Sequence, residues 1–488
     1  MNYIAVFDIG TTAIKGLLLD REDGIVHERS FPVQTFIGEK NRQEQNPEEW
    51  WQGVVNISRE WFDVHKINPV TIQAVTFSGQ MEDVILIKGS EKTTKAILYS
   101  DHRAGKEAEI VRQQFPDIHH VTGNGVSAST PVAKLVWLKT HALPAEKVHV
   151  VFSAKDYIIY KMTGAILTDH VTAATTGLMN IETRKWQTEF MGVLGLNEVF
   201  HLPKLASPGQ VAGKMNEAGA EQTGFRRGTP VLCGAGDAGA STLGAGAVNE
   251  GDCYLYIGTT GWMAVPTKDG SPKKNGIFTL AHAVPNLNIA IAPVLNAGNV
   301  HSWAMGSLAG TEDYALFNEE VQKSPPGANN LFFLPYLNGE RCPVQDSDAK
   351  GAFWGIGPRT TKADFARAVL EGICYSLKQI TELLAGHGGR LTLIGGGAKS
   401  PVWCQLLADI MNTPVSVPEY SEYLPSLGMG ATAFAYLGWV ENESEFIRQH
   451  LESGSAKMYI PDEGNVRIYQ LRYQTYVKLY PAMEKIYH

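Results

Sequence analysis

The chain has 488 residues, 44% apolar and 19% charged, with a formal net charge of −8. That length exceeds one hydrophobic core and predicts two large domains with a cleft between them. The absence of Lys/Arg clusters argues against nucleic acid as a partner, and the absence of an apolar run of about 18 residues argues against a membrane span.

The first element runs Tyr3-Ile4-Ala5-Val6-Phe7, then Asp8-Ile9-Gly10-Thr11-Thr12, then Ala13 to Leu19, and reads as two strands around a Gly/Thr turn. The early acid and the lack of a basic start make it a first strand rather than a signal peptide, so a cytoplasmic protein is expected. Backbone N–H groups in such a turn, with hydroxyls beside them, suit a phosphate, which marks Gly10, Thr11 and Thr12. Lys15 adds a cation and Asp8 a carboxylate suited to Mg2+. The same letters also make an ordinary hairpin with a capping acid.

Asn46-Pro47-Glu48-Glu49 predicts a helix start, with a capping side chain and proline in the first turn. Thr71 to Phe77 reads as a strand that delivers the polar loop Ser78-Gly79-Gln80-Met81-Glu82-Asp83, and strand ends are where binding groups collect. Strands and helical stretches alternate onward, which predicts an α/β protein.

Gly234-Ala235-Gly236-Asp237-Ala238-Gly239 contains G-x-G-x-x-G after a strand. As a dinucleotide fingerprint of an NAD-dependent oxidoreductase it fails, because Asp237 would put a negative charge where a pyrophosphate should sit. An acid on a glycine-rich turn is better placed to take a proton from a substrate hydroxyl. A tight turn with a solvated aspartate is the plainer alternative.

Ile257-Gly258-Thr259-Thr260 repeats Ile9-Gly10-Thr11-Thr12 about half a chain length later, again after an apolar strand. Two related domains are expected, with Gly258, Thr259 and Thr260 gripping a polyphosphate from the second side. Leu334 to Arg341 is a polar loop with an acid–base pair, expected to be structural. Thr361 opens a helix whose stripe of Phe365, Val369, Ile373 and Leu377 marks core, and which stops near Gly386. Leu391 to Ile394 is a strand running into Gly395-Gly396-Gly397-Ala398-Lys399-Ser400-Pro401, where Ser400 caps a helix. The glycines let a flat ligand lie on the backbone, or serve close helix–strand packing. The stretch is not a P-loop, because Ala398 stands at a required glycine. The five cysteines are too scattered for a zinc site and are expected buried and reduced.

Taken together, Asp8 to Thr12, Ser129-Thr130-Pro131-Val132-Ala133-Lys134-Leu135-Val136-Trp137-Leu138 and Gly395 to Asp409 resemble the FGGY family of carbohydrate kinases over nearly the whole chain. The resemblance implies two ribonuclease-H-like, actin-type ATPase domains, 1–243 and 244–488, with ATP and sugar between them. It casts Asp237 as catalytic base, Asp8 and Asp237 near Mg2+, and the two Gly-Thr-Thr turns as phosphate grips. Gly396, Gly397 and Ala398 would lie against the nucleoside. Sugar contacts would come from Gln80, Met81, Glu82, Asp237, Asp101 and Arg103. A homo-oligomer is implied by the resemblance alone.

Within that family Ser78 to Met81 resembles the xylulokinase loop, but Glu82 and Asp83 replace the histidine and glycine expected next. Lys155-Asp156-Tyr157 and Phe333 to Leu337 are similar to both xylulokinases and gluconate kinases. Acids beside the sugar would repel a carboxylate, which favours a neutral ketopentose such as D-xylulose over gluconate. A non-catalytic nucleotide switch of the actin or chaperone type shares the phosphate grip but has no need of a sugar loop.

Overall fold

The computed structural model describes residues 2–487 except 23, 40–41, 88–94, 272, 385–388 and 450–455. Strands β1 (Tyr3–Ile9) and β2 (Ala13–Asp20) form the expected hairpin, with Asp8 opposite Lys15. β3 (Gly24–Pro32) continues antiparallel, while β4 (Ile72–Gly79) lies parallel on the other side of β1. β5 (Val211–Lys214) and β6 (Pro230–Leu232) complete the order β5-β6-β4-β1-β2-β3. A short β7 (Ala235–Gly236) also pairs with β4, against Ser78 and Gly79.

The second sheet comprises β8 (Tyr254–Ile257), β9 (Gly261–Thr267), β10 (Phe278–Ala281), β11 (Asn288–Val294), β12 (Leu391–Ile394), β13 (Val415–Val417) and β14 (Lys457–Tyr459). Its order is β14-β13-β12-β8-β9-β11-β10. Apart from the added β10, this repeats the first sheet strand for strand, parallel and antiparallel pairs included. The four-letter echo therefore marks the same turn, between first and second strand, in two copies of one topology.

Alternation along the strands sets the layers, because successive side chains point to opposite faces. Ala5, Phe7 and Ile9 pack against helices α1 (Pro47–Arg59) and, beyond a small lobe, α3 (Ala154–Thr163). That lobe has its own core, to which α2 (Pro131–His141) gives Val132 and Leu135. Ile4 and Val6 face the other way, toward α4 (Asp237–Gly244) and α7 (Leu424–Tyr436), whose far side meets Tyr254, Ala264 and Ile394 of the second sheet. Leu255 and Ile257 point outward to α5 (Lys362–Leu384), α6 (Pro401–Met411) and α8 (Glu463–Tyr487). The result is five layers, α/β/α/β/α.

The middle layer is unusually close. A Cβ on Gly244 would stand 1.9 Å from the Leu424 carbonyl oxygen, and one on Gly428 would stand 2.3 Å from that of Ala240. The two helices thus cross backbone on backbone, which only glycine allows. Although α7 follows the second sheet's β13 in the chain, it packs on β1 and β4 of the first.

Local start signals hold. Asn46 accepts the Glu48 N–H at the head of α1 with Pro47 behind it, and Ser400 accepts the Trp403 N–H at the head of α6 with Pro401 behind it. The α5 stripe of Val369, Ile373 and Leu377 is buried, while the stop expected near Gly386 lies outside the described residues. All five cysteines are buried, and none forms a disulfide. Among the described residues no helix is long and apolar enough to cross a membrane.

Candidate active site

The ends of β1, β4 and β7 in one sheet, and of β8 and β12 in the other, bring the predicted residues together. In the first turn the Gly10 N–H donates to the Ala13 carbonyl at 3.1 Å, and in the second the Gly258 N–H donates to that of Thr260 at 2.8 Å. Each glycine therefore shapes its own turn, and Thr12, Thr259 and Thr260 are the residues left open to solvent. The second turn is braced from two sides. Gly298 and Asn299 donate to the carbonyls of Gly258 (2.9 Å) and Thr259 (3.0 Å). Gly397 lies against Ile257, where a Cβ would come within 2.5 Å of its Cγ2. Gly396 is exposed beside Gly397 and Ala398, and Tyr256 stacks on Trp262 with ring centroids 3.8 Å apart.

The first turn is braced by amides. Thr11 Oγ1 donates to Gln80 Oε1 (2.8 Å), Gln80 Nε2 donates to Gln45 Oε1 (2.9 Å), and Gln45 Nε2 donates to the Thr11 carbonyl (2.7 Å). Gln80 is 1% exposed, so within the predicted acceptor loop Met81 and Glu82 are the side chains that reach solvent. Gln45 was not foreseen; it is a single polar residue just before the α1 cap, and its role depends on partners 34 and 35 residues away. Lys15 donates to the Glu422 carbonyl at 3.0 Å and lies over the Tyr423 ring.

Asp237, expected in a turn, is the first residue of α4. The small residues that suggested a turn instead let α4 start tightly. A Cβ on Gly236 would meet Met81 Sδ at 2.0 Å, and one on Gly239 would meet Val171 at 2.6 Å. The Asp237 side chain still reaches solvent, but the protein crowded around it, and then the charge of Asp8, push its carboxyl up to about 7. Burial also raises Asp8, against a hydrogen bond from Ser78 and the charge of Lys15. Two adjacent carboxylates that resist joint ionisation fit a divalent cation shared with phosphate oxygens, since Mg2+ takes few protein ligands. Among the described residues no group of three or more His, Cys, Asp or Glu side chains forms a closed metal cage.

Glu82 holds a left-handed backbone, φ 61°, which costs a non-glycine residue about 1–3 kcal/mol. Burial raises its carboxyl to about 7, opposed by Lys134 and Arg341. Lys134, a lone cation in the apolar run of α2, is fully buried and donates to the carbonyls of Glu82 (2.8 Å) and Leu98 (2.7 Å). Burial lowers it to about 8. Asp83 is fully buried, and burial holds it well above the usual carboxylate range against the charge of Lys134 and the backbone N–H of Tyr99. Asp101 and Arg103 are paired with each other, the guanidinium Nε at 2.9 Å from Oδ1 and NH2 at 2.7 Å from Oδ2, and Arg103 also reaches Glu44 at 2.7 Å. Asp101 is fully buried and also accepts the Gln43 N–H at 2.7 Å. Glu340, expected to pair with Arg341, instead accepts the N–H groups of Leu295 and Arg341 and the Asn296 amide, which pins its loop.

Paired sheets of one topology, a Gly-Thr-Thr turn on each, and crossed helices between them define an actin-type phosphotransferase fold. The chain belongs to the FGGY family of carbohydrate kinases: residues 3–244 match that family's N-terminal domain and residues 253–436 its C-terminal domain. It is thus a phosphotransferase with an alcohol group as acceptor. It is 28% identical to the xylulose kinase of Staphylococcus xylosus over 98% of this chain and 100% of that one. It is also 28% identical to the gluconokinase of Bacillus licheniformis, over 100% and 97%. Among solved structures, a ligand-bound xylulose kinase from Lactobacillus acidophilus superposes with a TM-score of 0.89 at 29% identity, covering 100% of this chain and 99% of that one. A gluconate kinase from the same organism gives 0.88 at 30%, covering 99% and 98%.

Proposed function

We propose that this protein moves the γ-phosphoryl group of ATP onto a hydroxyl of a neutral ketopentose, D-xylulose first among them. The observation that carries the reading is Asp237: an accessible carboxyl lifted to about 7, packed through Gly236 against Met81 of the acceptor loop and coupled to Asp8 beside the first phosphate turn. Met81, Glu82 and Asp237 contact the acceptor, with Gln80, Asp101 and Arg103 shaping the loop from behind. The chain divides near Leu243 and Gly244 into an acceptor half and a nucleotide half.

Phosphoryl transfer has a loose transition state, so alignment and charge neutralisation carry most of the catalysis. Asp237 orients the attacking hydroxyl and takes its proton late. The threonine hydroxyls of both turns and Lys15 steady the phosphates, while Gly396, Gly397 and Ala398 receive the nucleoside. Asp8 and Asp237 would hold Mg2+, which supplies neutralising charge on the phosphate oxygens. Glu82 ionises only as the pH passes about 7 and Asp83 is held above the usual carboxylate range, so an acceptor carboxylate would add to the cost of charging Glu82 and is disfavoured as the pH rises. Five cysteines with no disulfide among them fit a reducing cytoplasm. Self-association, carried by the resemblance, is read by sedimentation.

The test is ADP release with Mg2+-ATP over D-xylulose, L-xylulose, D-ribulose, L-ribulose, gluconate and glycerol. A dominant response to one ketopentose is expected. Preference for gluconate would overturn the reading of Glu82 and Asp83, and release independent of every acceptor would favour a nucleotide switch.

A further inference from the structure

Beneath the acceptor loop lies a buried charge cluster that neither the phosphate turns nor the acceptor contacts use. Lys155, in the first turn of α3, is fully buried, with its ammonium 2.6 Å from Asp156 Oδ1 and 2.9 Å from Asp169 Oδ2. Asp169 also accepts the N–H groups of Val171 (2.9 Å) and Thr172 (3.1 Å) and the Thr172 hydroxyl (2.6 Å). Stability is a weak account of such a cluster, since well-packed apolar residues in place of a buried ion pair are often neutral or stabilising.

Its placement gives a better account. A Cβ on Gly236 would stand 2.9 Å from Thr172 Oγ1, and one on Gly79 would stand 3.1 Å from Lys155 Cβ. Ser153, just before α3, donates to the Gln80 carbonyl at 2.7 Å, and the Phe152 carbonyl accepts the Asp83 N–H at 3.1 Å. The head of α3 thus touches the end of β4 and its acceptor loop, while the Lys155 ammonium ties that head to Asp169, whose partner Thr172 abuts Gly236. We propose that Lys155 and Asp169 are positioning residues that hold Asp237 in register with the acceptor loop, acting through Thr172 and Gly236. Pairing keeps Asp169 below the usual carboxylate range and raises Lys155, so the contact between them stays ionic. The inference rests on the reading of Asp237 as base, where a misplacement of about 1 Å costs about 10²-fold in rate.

Thr172→Val, Thr172→Ser and Asp169→Asn test it in the full chain, with turnover on the preferred acceptor, the KM for ATP, and amide hydrogen exchange as readouts. Thr172→Val and Asp169→Asn should lower kcat about tenfold or more with the KM for ATP within about twofold. Exchange should quicken about tenfold in residues 79–84 and 233–240 and stay unchanged around Gly258 to Thr260. Thr172→Ser, which keeps the hydroxyl, should restore both. Unchanged exchange in residues 79–84 and 233–240 would overturn the proposal, as would a parallel loss of ATP binding and protection throughout the molecule. If the wild type phosphorylates no acceptor, the kinase reading falls, while the exchange readout still decides whether the pair fixes these segments.

Discussion

The two sheets share a topology and a turn but divide the chemistry. Around Gly10 the flanking residues are Asp8 and Lys15, and the nearby acids Glu82, Asp83 and Asp237 are all held up by burial. Around Gly258 the position matching Asp8 is Tyr256, stacked on Trp262, and the buried histidines of this half, His282 and His301, carry no charge at neutral pH. Burial lowers both His282 and His301 to about 4. One backbone device thus stands in two settings, with charges beside the first turn and rings beside the second. A duplicated fold is free to do this because the turn's shape depends on glycine and strand register, not on the flanking side chains.

The sharpest break in the comparison is Asp237→Asn, which should cut acceptor phosphorylation about 10³-fold while the KM for ATP stays within about twofold. Loss of ATP affinity in step with kcat would place Asp237 on the nucleotide side instead.

Next in size is the opposite pH response of the halves. His282 and His301 titrate near 6.5 when unfolded and at about 4 when folded, so the unfolded state binds more protons between those values. Stability is full above pH 6.5 and falls toward pH 4, by about 3 kcal/mol for each buried ring. Thermal denaturation across that range checks it, and His301→Phe should flatten the slope. Glu82 runs the other way: its folded value of about 7 lies above its unfolded one, so its contribution is present at low pH and lost as pH rises through 7. Glu82→Gln should raise the Tm at pH 8 and leave it unchanged at pH 4.5.

Smaller still is Gly298→Ala. Its Cβ would meet the Gly258 carbonyl oxygen at 2.3 Å, so the second turn must shift. The KM for ATP should rise about tenfold, with a stability cost of about 1–3 kcal/mol and little change in acceptor KM. The mildest is Trp262→Leu, which removes the stack on Tyr256 and should weaken nucleotide binding by about 0.5–1.5 kcal/mol in a titration with ADP.

What the sequence revealed follows how local each signal is. The β1–β2 hairpin, the caps at Asn46 and Ser400, and both Gly-Thr-Thr turns are written within a few residues, and all stand in the fold. The echo between the turns was legible because two copies keep one glycine geometry. Asp237 was read as a turn residue because Gly234, Gly236 and Gly239 look alike in sequence, although Gly234 alone of the three has a positive φ, 64°. The resemblance marks Gln80, Asp101 and Arg103 as acceptor contacts, but Gln80 is engaged by Thr11 and Gln45, Asp101 by Gln43 and Arg103, and Arg103 also by Glu44, so most of the partners come from distant segments. Lys134 gives no sign of its role because it sits in an apolar stretch, and Lys155 because its second acid partner, Asp169, lies 14 residues further on.

The crossing of Gly244 with Gly428 fixes what kind of inheritance this molecule can tolerate. At that crossing main chain meets main chain, so a side chain at either position would force the helices apart and carry α7 off β1 and β4, on which it packs. The rest of the layer meets the sheets through apolar side chains, which can drift while this one point stays fixed.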